Sequence, residues 1–179
     1  RTRCPHALSA VVLGASFPVA AREDRMSDIV SSPPAQLDEQ AYVLVVDIVE
    51  YGLLSLEDRS SLVDDLDAMA RASPAYCQMC DAQSVVSMPS GDGYGIAFFG
   101  SAAAPVLLQC AVDIARANAA RIPITCGIHT EMVRRRQDLN ENQNLVGPAV
   151  DYAHRVAGLA DAGHILVSAS YAELLRSLN

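Results

Sequence analysis

Two aspartates stand where apolar runs give way to turns. Asp47 closes V-L-V-V-D-I-V at 43–49, and Asp92 lies in the turn S-G-D-G-Y-G-I-A-F-F at 90–99. Carboxylates brought together from neighbouring strands of one sheet can share a pair of hard divalent cations. Such a pair binds a nucleoside triphosphate and stabilises the charge of phosphoryl or nucleotidyl transfer.

Positioning both residues needs a sheet with at least two adjacent strands. Residues 41–47 form a continuous apolar run, as expected of a buried central strand. Residues 83–88 and 94–99 read as strands joined by P-S-G-D-G, a hairpin signal. Further strands are expected at 122–129 and 164–168. Helices are expected at 56–72, with Leu62, Leu66, Met69 and Ala70 on one stripe, and at 102–118, with Val106, Leu107, Cys110 and Ile114 on another. The spacing also predicts helices at 147–157, with Pro148 in the first turn, and at 170–177. A polar loop is expected at 134–144. The order β-α-β-β-α-β-α-β gives an α/β (α+β) fold, a ferredoxin-like βαββαβ core with an added helix-strand unit.

Composition narrows the partners. A chain of 179 residues is long enough for one domain with a real core. Its net charge of −8 argues against nucleic acid, whose phosphates recruit basic surfaces. No apolar run is long enough for a membrane span. All 13 basic residues are arginine, so the chain holds no lysine. Five cysteines, an odd number, suit reduced thiols and a cytoplasmic location. Cys77-x-x-Cys80 is also compatible with a redox pair or half a zinc site, although no second ligand pair is visible. Residues 7–21 resemble the core of a secretion signal, yet the chain opens on Arg1, and Met26-Ser-Asp reads as a start. We therefore take 1–25 as an upstream extension, 33–39 as a linker, and 41–179 as the functional domain.

The motifs V-D-I-V-E-Y, G-D-G-Y-G-I-A-F, T-C-G-I-H-T-E, G-P-A-V-D-Y-A-H-R and A-D-A-G-H-I-L-V-S follow one another in order. In that order the chain resembles the class III nucleotidyl cyclases, the adenylate and guanylate cyclase superfamily, over residues 41 to about 175. The resemblance implies that Asp47 and Asp92, with the Ile48 carbonyl, ligate two Mn²⁺ or Mg²⁺ ions. It implies that backbone amides of 48–52 hold the β- and γ-phosphates, and that Arg155 is the transition-state arginine. In the family that arginine comes from the second subunit, so a homodimer with composite sites is implied. Members usually continue into further strands beyond the region matched here, so the domain is expected to be truncated at its C-terminus.

Several positions depart from the family pattern. The purine-reading lysine is replaced by Met88, its aspartate partner by Asn144, and the ribose-orienting asparagine by Asp151. Glu50 and Glu131 stand where the family has glycines. Methionine offers a base edge no proper donor, whereas an asparagine amide both donates and accepts, as a pyrimidine edge requires. Tyr51 is a candidate to help close the shortened pocket. In these respects the chain resembles the bacterial pyrimidine cyclases of the Pycsar antiphage system, which make cyclic UMP or CMP for a separate effector protein. Two other readings stay open: an adenylate cyclase with an unusual base pocket, and a silent cyclase-like nucleotide-binding module. Taken alone, Asp151 and Arg155 could be a plain surface pair, His129 a satisfied strand residue, and Arg134–Arg136 a solvated charge run.

Overall fold

A computed structural model of the chain describes residues 38–178. The expected upstream extension, Met26, Cys4 and most of the linker lie outside the described residues. The elements run β1 (Glu39–Ile48), α1 (Leu56–Ala72), α2 (Pro74–Asp81), β2 (Val85–Pro89), β3 (Gly93–Phe99), α3 (Ala103–Asn118), β4 (Ile124–Gln137), β5 (Gln143–Val146), α4 (Pro148–Ala157), β6 (Ile165–Val167) and α5 (Ala169–Ser177), with a 3₁₀ turn at Tyr51–Leu53. The strand order is β2-β3-β1-β4-β5, and β6 pairs parallel to β4.

β1 is central because both its faces are covered. Tyr42, Leu44, Val46 and Ile48 pack in a cluster with residues of α1, α2, α3 and α5. Ala41, Val43 and Val45 turn to the other face, where Ala149, Ala153 and Ala157 of α4 pack with Val133 and Leu145. With no wet face there is no alternation, so the strand reads as an unbroken apolar run. Helix α3 buries Leu107, Cys110, Ala111 and Ile114 as one stripe, and α1 buries Leu66, Met69 and Ala70. Full burial of a residue such as Leu66 contributes about 1.5–3 kcal/mol.

Two parts of the chain differ from the sequence expectation. Helix α2 was not expected. Ser73 caps it by accepting from the Tyr76 amide at 3.3 Å, Pro74 occupies its first turn, and Ser73 also bonds Asp113 of α3 at 2.8 Å. That cap-and-proline signal was masked by the end of α1 immediately before it.

The expected polar loop at 134–144 is largely strand. β4 runs on to Gln137 and pairs with β5, so that Arg136 faces Asn144 in register. Val133 is buried here, and Arg135 lays its guanidinium 3.9 Å from the centre of the Phe99 ring while pairing with Glu39. Arginine stems thus supply the inward face that a hydropathy pattern assigns to apolar residues. Arg134 pairs with Asp38 at 2.9 Å. Asp138 turns the hairpin by accepting from the amides of Asn140 and Asn142. The arm curls until β5 lies against β2. Among the described residues no helix is long and apolar enough to cross a membrane.

Candidate active site

Asp47 and Asp92 are brought together by one cross-strand register. Asp47 pairs with Gly93, the first residue of β3, and the Ile48 amide donates to the Asp92 carbonyl at 2.8 Å. Only glycine fits at 93, because a Cβ there would lie 1.9 Å from the Val46 carbonyl oxygen. Asp92 is exposed at the rim, with Ser90 Oγ donating to its carboxylate at 3.3 Å. Asp47 is half-buried. Burial first, and then the Asp92 charge, push its carboxyl above the usual range, while His154 opposes them.

His154 of α4, which no sequence motif singled out, is thus the group among the described residues that draws the Asp47 carboxyl back down. A histidine beside the family's arginine position was the available signal. Arg155 itself is exposed and lies over the Tyr152 ring, 5.1 Å from its centre. The ion pairs among the described residues do not join Arg155 to Asp151, so the plain surface pair considered from sequence is not formed. Asp151 is exposed in the first turn of α4.

The turn after β1 keeps a backbone shape associated with glycine. Glu50 has φ 57° and ψ 21°, the left-handed region, at the position where the resembled family carries glycine. The expectation that amides 48–52 all face a phosphate needs correction. The Ile48 amide goes to Asp92, and the Val49 amide goes to the Pro123 carbonyl at 2.8 Å. Backbone pairing continues through Ile48 at the end of β1 and Val49 just beyond it, and consumes those donors. The amides of Glu50, Tyr51 and Gly52 remain outside these bonds. Arg59 braces the turn by donating to the carbonyls of Gly52 and Leu54.

Met88 and Asn144 sit on elements that meet. Met88 on β2 pairs with Gly95 and packs, with Val150, against the α4-side cluster. Asn144 is half-buried on β5, which lies against β2, and its side-chain oxygen accepts from the Leu145 amide at 2.7 Å. Tyr51 is not brought to them. It packs at the edge of the cluster on the opposite face, with Arg59 5.4 Å from its ring centre.

Helix α4 sits unusually close to the sheet. A Cβ at Gly127 would fall 2.1 Å from the Ala157 nitrogen and 2.5 Å from the Ala153 carbonyl oxygen. Glycine on β4 and alanines on α4 thus set the height of the helix that carries Asp151, His154 and Arg155. Among the described residues no three His, Cys, Asp or Glu side chains converge as a metal cage. Asp47 and Asp92 offer carboxylate oxygens, the donor type that hard divalent cations take.

By sequence, no protein-family model and no curated protein matches the chain. Solved structures do match. The catalytic core of a rhodopsin-guanylyl cyclase with converted specificity, in complex with ATPalphaS, aligns with TM-score 0.64 and 22% identity over 79% of this chain and 83% of that one. The guanylate cyclase domain of RhGC from Catenaria anguillulae, in complex with GTP, gives 0.63 and 23% over 77% and 82%. The adenylyl cyclase CyaB from P. aeruginosa gives 0.61 and 15% over 79% and 83%. The chain has the class III cyclase catalytic fold.

Within that fold, the described cysteines are free thiols. Cys77 and Cys80 are exposed on α2, and Cys110 and Cys126 are buried. Burial pushes the Cys110 thiol up to about 11 and Cys126 up to about 12, so both stay protonated and inert.

Proposed function

We propose that the chain is a metal-dependent nucleotidyl cyclase that converts a pyrimidine nucleoside triphosphate, UTP or CTP, to its 3′,5′-cyclic monophosphate and pyrophosphate. The observation that carries this reading is the paired register of Asp47 and Asp92 on the cyclase fold. Two Mn²⁺ or Mg²⁺ ions would be held by Asp47, Asp92 and the Ile48 carbonyl. Such ions acidify the ribose 3′-hydroxyl and offset triphosphate charge. The amides of Glu50, Tyr51 and Gly52, in the turn between the end of β1 and the N-terminus of α1, would hold the terminal phosphates. In the reaction the 3′-oxygen bonds to the α-phosphorus as the bond to the bridging oxygen of pyrophosphate breaks. Arg155 meets the growing charge with a fixed fork of donors.

The exposure of Arg155 supports delivery to the site of a second copy. So do Met132, Val146, Tyr152 and Leu159, large apolar residues left exposed on β4, β5 and around α4. A homodimer with two composite sites follows. Met88 and Asn144, on adjoining elements, replace a purine-reading pair with a shorter apolar wall and an amide, and Asp151 takes the place of a ribose contact. This supports a pyrimidine, and with it a second-messenger role in antiviral defence, read by a separate effector. The catalytic domain is assigned to residues 41–179, in a cytoplasmic setting.

Turnover of ATP, GTP, CTP and UTP by purified protein with Mn²⁺ tests the reading. UTP or CTP is expected to be cyclised fastest. ATP in first place identifies an adenylate cyclase with an altered pocket, and no turnover of any triphosphate identifies a silent nucleotide-binding module.

A further inference from the structure

A line of side chains that the proposed reaction leaves unused runs up to Arg155. His129 on β4 is buried, and both ring nitrogens are engaged. Nδ1 lies 2.8 Å from Ser168 Oγ and 3.4 Å from Ser170 Oγ, and Nε2 lies 3.3 Å from a Glu131 carboxylate oxygen. Each ring nitrogen thus has an oxygen within hydrogen-bond reach, Ser168 Oγ at Nδ1 and the Glu131 carboxylate at Nε2. The ring is pinned at both ends. It meets the Tyr152 ring at 5.1 Å between centres, tilted by 38°. Arg155, one turn further along α4, holds its guanidinium 5.1 Å from the centre of that same tyrosine.

We infer that Tyr152 is a positioning residue for Arg155, and that Glu131 and Ser168 act through His129 to hold the Tyr152 ring in place. An arginine standing in solvent samples many rotamers, and all but one must be lost before its fork meets a transition state. A fixed aromatic face attracts the guanidinium and narrows that choice beforehand. Glu131 belongs to this line, at a position where the resembled family pattern has glycine. Its catalytic consequence rests on the cyclase reading above; its structural consequence does not.

Two measurements test it on the full chain. Tyr152→Leu removes the ring and is expected to lower kcat about two- to fivefold with KM for the triphosphate unchanged, because Arg155 acts on charge that appears only in the transition state. Tyr152→Phe keeps the ring and is expected to restore wild-type kcat. Independently, the Nε–Hε order parameter of Arg155 by NMR, assigned with Arg155→Lys, is expected to fall in Tyr152→Leu and to hold in Tyr152→Phe. Glu131→Ala, which releases the Nε2 end of the His129 ring, is expected to lower the same order parameter by a smaller amount. An Arg155 order parameter unchanged in both Tyr152→Leu and Glu131→Ala overturns the inference. If the wild type cyclises nothing, the proposed function falls, while the order parameters still decide whether Tyr152 positions Arg155.

Discussion

Asp47 sits opposite Gly93 in the β1–β3 ladder, and this pairing carries Asp92 to its side. Two like charges are thereby held at one end of the sheet, with His154 opposing them at Asp47 among the described residues. Such an arrangement costs stability and is kept where it serves a ligand.

Asp47→Asn should therefore abolish turnover yet raise the melting temperature at neutral pH. The folded-state pKa of Asp47 lies above its ordinary 3.8, so the native state binds its proton more readily than the unfolded chain. Stability falls as pH rises through the window above 3.8, and the gain of the asparagine variant should grow across that window. Thermal melts from pH 3.5 to 7 check this. A variant less stable than wild type at pH 7 would remove the claim of charge strain.

Manganese should reverse the order. An ion that binds only the native state at about 100 times its Kd stabilises it by about 2.7 kcal/mol. Melting with and without Mn²⁺ and a non-hydrolysable triphosphate should show this gain in wild type and its loss in Asp47→Asn.

Arg155→Ala should eliminate cyclisation while shifting the melting temperature by no more than about 2 °C, because the side chain is exposed and its guanidinium lies over the Tyr152 ring rather than in the core. Mixing this variant with Asp47→Asn should restore part of the activity if sites are shared between copies. Failure of that complementation would argue for a self-contained site.

Exchanging the base-reading positions, Met88→Lys together with Asn144→Asp, should move the ratio of kcat/KM for ATP over UTP by tenfold or more toward ATP. Steady-state rates with both substrates settle it. An unchanged ratio would place base selection elsewhere than β2 and β5.

Glu50→Gly should stabilise the protein by about 1 kcal/mol, since the residue stands at φ 57° where a side chain is crowded by its own backbone. Gly127→Ala should act the other way, costing about 3 kcal/mol and lowering turnover, because its methyl would intrude on the α4 backbone at Ala157. Urea midpoints for the two variants give both values.

The sequence by itself determined the central strand, the β2–β3 hairpin with Asp92 in its turn, the apolar stripes of α1 and α3, and the start of α4 at Pro148. Each of these rests on local periodicity or turn chemistry, which neighbouring residues specify. It hid helix α2, whose cap follows directly on α1, and the β4–β5 arm, whose inward face is made by Arg135 rather than by an apolar residue. Only the tertiary structure decided that Asp47 feels His154, that Tyr51 and Met88 belong to opposite faces of the sheet, and that His129 and Tyr152 lie in line with Arg155. Those relations join residues as much as 107 positions apart in the chain. They are set by strand register and by how closely α4 approaches Gly127, and no local pattern encodes either.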